Sequence, residues 1–153
     1  MAVRQRQATL TEEQLRFLDE NPFVGVLTTL RPDGSPHSTV VWVDVLDDGT
    51  PCFNTARRRA KERHLSRDPR LTLIVVDPET TFRWLSISGH AKLTEEGADA
   101  QMDKLAKKYL DEDVYPWRNP EEIRVQVRIQ PELIETSGFA VPGTTLRLKK
   151  KSK

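Results

Sequence analysis

Phe53-Asn-Thr-Ala-Arg-Arg-Arg-Ala-Lys-Glu-Arg-His-Leu65 is the stretch around which the chain is organised. Its first residues finish a strand that begins at Pro51, and the remainder reads as a short helix. Arg57, Arg58, Arg59, Lys61 and Arg63 put five cations into seven residues, with Glu62 their only acidic neighbour. A strand that runs into a helix start leaves backbone N–H groups without partners, which is an anion site before side chains are counted. Arginine adds planar two-pronged donors suited to phosphate, and lysine adds a mobile point charge. The same residues also fit a solvated basic helix. Their place directly after a strand, with small Thr55 and Ala56 allowing close approach, favours a phosphate clamp.

Working outward, most of the chain reads as strands joined by tight turns. Phe23 to Leu30 is rich in strand formers, and Arg31-Pro-Asp-Gly34 is a turn. Pro36 to Leu46 returns as one long strand whose centre, Val40-Val-Trp-Val43, is apolar on both faces, so a second layer or a second subunit is expected to cover it. Asp47-Asp-Gly49 turns back toward the basic stretch. Leu71 to Val76 and Phe82 to Leu93 are further strands, with Gly89 expected at a bulge or bend. Ile123 to Ile129 alternates apolar and charged residues, and Leu133-Ile-Glu-Thr136 reads as a separate last strand. Helices are expected from Thr9, with a Thr9/Glu12 capping box, and over Glu95 to Leu110. About seven strands with two or three short helices make a mainly β protein, a closed or split antiparallel barrel, the economical fold. One domain over 1–140 is expected, followed by a disordered basic tail over 141–153.

The totals narrow the function. In 153 residues the formal net charge is only +1, so the basic run is a local feature and a nucleic-acid partner is not expected. A single cysteine, Cys52, excludes an intramolecular disulfide and fits a reducing compartment. No leader pattern follows Met1 and no apolar run approaches a membrane span, so a cytoplasmic protein without membrane contact is expected. Glycine-rich nucleotide loops, nucleophile-elbow serines and metal-spaced histidines are all missing. An anion clamp without resident reactive groups suits a cofactor that brings its own chemistry, and no catalytic side chain and no metal is assigned.

Four stretches resemble the split-barrel flavin reductases of the pyridoxamine 5′-phosphate oxidase superfamily. They are Gly25 to His37, Val40-Val-Trp42, Arg59-Ala-Lys-Glu-Arg-His-Leu65 followed by Asp68-Pro-Arg70, and Arg83-Trp-Leu-Ser-Ile-Ser-Gly89. The Arg-Ala-Lys block is the most specific, and the pattern is most similar to the branch that binds the deazaflavin coenzyme F420, biliverdin-reducing members included. The resemblance implies an FMN-binding type of split barrel working as an oxidoreductase and a homodimer. It implies that Arg59, Ala60 and Lys61 hold the cofactor phosphate with His64 nearby. It places the ring along Ser38, Thr39, Val40 and Val41 and beside Asn54 and Thr55, with Arg83 and Trp84 approaching from a neighbouring strand. Phe53-Asn-Thr-Ala-Arg-Arg lacks the Tyr and Ser of the FMN-type run in the vitamin-B6 oxidases. Hydride transfer from reduced F420 to a planar conjugated small molecule is the expected activity. The alternatives are an FMN-binding oxidoreductase and a non-catalytic F420 carrier or sensor.

Overall fold

Residues 3–5, by their backbone, and 9–139 are described by a computed structural model of the chain. The expected tail over 141–153 lies outside them. The chain runs β1 (Val3–Gln5), α1 (Glu12–Asp19), β2 (Gly25–Leu30), β3 (Pro36–Val41), β4 (Asp44–Val45), β5 (Pro51–Ala56), α2 (Ala60–Arg67), β6 (Arg70–Val76), β7 (Trp84–Thr94), α3 (Ala98–Leu110) and β8 (Arg124–Ser137). All strand pairings are antiparallel, in the order β3-β2-β6-β7-β8-β5-β4, with β1 beside the far half of β8.

That order dictates the shape. β3 and β4 stand at opposite ends of the sheet, yet only Trp42 and Val43 separate them along the chain. Successive Cα atoms are about 3.8 Å apart, so the two ends lie within roughly 11 Å of each other and the sheet must curl on itself. The result is a split β-barrel. Its interior is filled by the inward residues of the alternating strands: Leu27, Phe53, Leu73, Leu85, Ile87, Val125, Val127 and Ile134 are all fully buried. Phe17 and Leu18 of α1 add to the same core, and α3 packs Ala98, Met102, Leu105 and Ala106 inward beside β5 and β8.

Several boundaries differ from the sequence reading for definable reasons. α1 is capped by Thr11, not Thr9: the Thr11 hydroxyl accepts from Gln14 N at 3.2 Å, and the Gln14 side chain accepts from Thr11 N at 2.9 Å. This is the same capping-box logic two residues later. The expected strand from Pro36 to Leu46 breaks at Trp42, because the chain must leave one end of the sheet and join the other. β7 begins at Trp84, so Phe82 and Arg83 precede it. The two expected final strands are one, since Pro131 sits at a bulge: Ser88 pairs with Leu133 and Gly89 with Pro131, leaving Glu132 as the extra residue. Gly89 is required opposite, because a Cβ there would stand 2.0 Å from the Gln130 carbonyl oxygen.

Candidate functional site

The corner between β5 and α2 is shaped by Glu62. Arg58 adopts φ +72°, in the left-handed region, and its N–H donates to Glu62 Oε2 at 3.0 Å. Glu62 Oε1 accepts from Arg57 Nη1 at 2.9 Å and from Ser66 Oγ at 3.1 Å. Burial is the largest single influence on the Glu62 carboxyl and would raise its pKa, but these donors together hold it below the usual carboxylate range. Arg57 also reaches Glu95 at 2.8 Å, so it is neutralised twice. The corner thereby turns Arg59 and Lys61 toward a cleft of about 210 Å³.

That cleft is assembled from distant parts of the sequence. The end of β3 supplies Val40 and Val41, followed by Trp42; β5 supplies Asn54; the helix start supplies Arg59 and Lys61; β8 supplies Arg124. Trp42 stacks on Tyr109 of α3, with ring centroids 5.2 Å apart and planes 6° from parallel. Tyr115 meets the edge of Trp42, and Trp117, 64% exposed, meets Tyr115. Asp103 of α3 latches this aromatic loop by accepting from Tyr115 N at 2.9 Å and from Arg118 Nη2 at 2.7 Å. One side of the cleft is therefore flat and aromatic and the other is cationic.

The cations are not equivalent. Arg59 donates to Glu122 Oε1 at 2.6 Å and Arg124 to Glu122 Oε2 at 3.1 Å. The Arg59 hydrogen bond is the main cause that holds the Glu122 carboxyl below its ordinary pKa. Lys61 is half-buried, and burial first, then the charge of Arg59, lowers its pKa. Its ammonium has no acidic partner among the described residues. Asn54 donates to Ala98 O at 2.9 Å and Gln101 Oε1 at 3.0 Å, while its Oδ1 has no partner among them. A larger hollow of about 540 Å³ lies on another side of α3, but its Lys104 is paired with Asp44 at 2.7 Å and its Arg128 with Asp48. It offers no free cation.

Of the residues expected at the site, Val40, Val41, Asn54, Arg59 and Lys61 converge here, with Ala60 between the last two. Thr55 is buried next to Asn54, and Thr39 is half-buried on β3; neither hydroxyl has a partner among the described residues. Ser38 is exposed and pairs with Thr28 at 2.9 Å. His64 is turned away from the cleft: its Nδ1 lies 2.9 Å from Thr29 Oγ1, and its ring meets the edge of His37 at 5.1 Å. Burial, then the neighbouring His37, lowers its pKa. Arg83 lies over the rings of Phe17 and Phe139, in a hollow with Glu13 and Glu20, and Trp84 pairs with Ser137 at the far end of β8 from Arg124. Within one chain neither joins the cleft.

Arg124 was not legible as a site residue, because alternation along Ile123 to Ile129 assigns its charge to a solvent face, and Glu122 precedes that strand in a loop with no pattern of its own. The one available signal was the density of aromatic and charged residues from Tyr115 to Arg124.

Comparisons with known proteins agree with this architecture. The family model described as pyridoxamine 5′-phosphate oxidase matches residues 10–137. A curated relative from Mycobacterium tuberculosis, an F420H(2)-dependent biliverdin reductase, is 29% identical over 133 residues, covering 85% of this chain and 91% of its own. A solved structure of an F420 reductase superposes with TM-score 0.66 at 28% identity, over 78% of this chain and 94% of that one. A conserved hypothetical protein from Mycobacterium tuberculosis shares the fold, with TM-score 0.65 at 22% identity and coverage of 97% and 98%. The curled sheet, the strand-to-helix cationic corner and the match over nearly all of the described residues lead to one conclusion: the chain belongs to the pyridoxamine 5′-phosphate oxidase family.

Proposed function

We propose that the protein is an oxidoreductase that uses the deazaflavin coenzyme F420 to pass a hydride to a planar conjugated small molecule. The observation that carries this reading is Lys61, a half-buried cation facing the cleft with no acidic partner among the described residues. A charge held there against burial is suited to an anion supplied from outside. Two features fit the rest of such a cofactor: the aromatic side formed by Trp42, Tyr115 and Trp117 can pack a flat ring, and Asn54 Oδ1 is an unmet acceptor beside it. When bound, the cofactor would supply the hydride chemistry. The chain's own residues would hold its phosphate on Lys61, Arg59 and Arg124, orient the ring along Val40 and Val41, and exclude water. The two F420-linked relatives support the choice of cofactor.

A homodimer belongs to the same proposal. Val40, 62% exposed, lines the cleft and also starts a strip across the outer sheet face through Val26 and Ile74. Val24, Val76 and Phe82 are exposed as well, apolar surface that a second copy would cover. Trp84 and Arg83, about 40 Å of strand from Arg124 by contour, can approach a cofactor in this cleft only from a second copy. Fluorescence titration with F420 and FMN tests the cofactor. F420 should bind more tightly, and loss of the reduced cofactor upon adding a bilin-like acceptor should follow; tighter FMN binding refutes the reading. Light scattering should return twice the chain mass of 17.5 kDa.

A further inference from the structure

Three cations line the cleft, and a carboxylate next to it, Glu122, is paired with two of them. Glu122 closes the loop that carries the aromatic residues. Its N–H donates to Asn119 O at 3.0 Å, and the following carbonyl, Ile123 O, accepts from Arg57 N at 2.9 Å. The backbone on both sides of Glu122 is therefore tied down, one end to the basic corner itself. Its side chain is 24% exposed and uses one oxygen for Arg59 and the other for Arg124, whose own side chain is 10% exposed. Swinging Glu122 away would strand a nearly buried guanidinium without its counter-charge, which is costly. A ligand entering this cleft thus meets Arg59, Lys61 and Arg124 with Glu122 held behind two of them, outside the lining but paired to both arginines, a net of two positive charges (three minus one).

We propose that Glu122 is a specificity-determining residue that offsets the advantage a phosphate monoester would have on three cations, and so shifts the cleft toward a cofactor whose phosphate is a diester. The inference rests on the oxidoreductase reading above and extends it to the determinant of cofactor choice. A phosphodiester carries one negative charge, whereas a terminal monoester carries about 1.5 to 2 near neutral pH. The additional charge of the monoester falls on a site where each guanidinium already gives one nitrogen, Nη2, to a carboxylate. For charges roughly 6 Å apart at a partly exposed site, the repulsion from ionised Glu122 takes on the order of tenfold off the affinity per unit of ligand charge, relative to what the three cations alone would give. F420 carries a phosphodiester and FMN a monoester, and riboflavin, which shares the FMN ring but lacks its phosphate, isolates the share of the monoester.

The experiment compares wild type, Glu122→Gln, Glu122→Ala and Glu122→Asp by fluorescence titration with F420, FMN and riboflavin, with folding checked by circular dichroism. The wild type should prefer F420 over FMN, and should gain less from the FMN phosphate relative to riboflavin than the neutral variants do. In the neutral variants both phosphate-bearing cofactors should gain, FMN more than F420, so that the F420-to-FMN preference narrows roughly three- to tenfold with riboflavin unmoved. Glu122→Asp, which keeps the charge, should retain the wild-type ratio. Glu122→Ala gives the same comparison in a second neutral background. Wild-type preference for F420 combined with an unchanged ratio in both neutral variants overturns the role of Glu122 and leaves the F420 reading standing. A wild type that prefers FMN, or binds neither cofactor, overturns both.

Discussion

Lys61→Met is the sharpest test of the cationic corner. Methionine keeps much of the apolar stem and removes the ammonium, so packing against the cleft is largely retained. In the folded protein the charge is disfavoured by burial and by Arg59, and no acidic group among the described residues offsets this. Fold stability should therefore hold or rise slightly in the variant. Cofactor affinity should move the other way. A charge-assisted hydrogen bond to phosphate is worth about 1.5–3 kcal/mol, or roughly a 10- to 100-fold loss of affinity when removed. Arg58→Ala is the control, because Arg58 sits at the same corner, exposed and outside the residues that line the cleft. Its loss should cost less than threefold and be erased by salt, as a screened surface charge would be. The assay is a pair of titrations in low and moderate salt, together with thermal melts. Equal, salt-erased losses for the two variants would refute the clamp and reduce the corner to a charged surface. A large fall in melting temperature for Lys61→Met would refute the argument that its charge is held at a cost.

Two further outcomes test the fold that presents this site. Gly89→Ala should destabilise by about 3 kcal/mol or more, because the added Cβ meets backbone at Gln130 and Pro131 that has no flexible end to move; a melt within 2 °C of wild type would contradict the bulge geometry. Below the ordinary histidine pKa of 6.5, the unfolded chain binds a proton at position 64 that the folded chain resists, so stability should fall as pH drops through this window. His64→Asn should lose less stability than wild type between neutral pH and pH 5 in denaturant titrations, and parallel losses would exclude His64 as a source of acid sensitivity.

What the sequence by itself determined was local. Strand periodicity, the turns at Arg31–Gly34 and Asp47–Gly49, and the cation density from Arg57 to Arg63 depend on neighbours a few residues apart; the turns and the basic corner appear where the chemistry placed them, and the strands do so apart from their ends. Arg59 and Lys61 were reachable for the same reason, since a strand end followed by a basic helix start is a short-range pattern, whereas Asn54, Val40 and Val41 came from the resemblance to the family. The tertiary structure decided which charges remain available. Arg57 is spent on Glu95, thirty-eight residues away, and Arg59 is shared with Glu122, sixty-three residues away. Those pairings exist because β8 returns beside β5, a long-range registration that no local window contains. The same return makes Pro131 a bulge residue inside one long strand rather than a strand terminator. It also sends Trp84 to the opposite end of β8, since residues near one another in a motif separate once the strand carrying them spans the whole sheet. Propensity acts over a few bonds and writes itself into the sequence; ion pairing and closure act through space, and only the folded sheet brings their partners together.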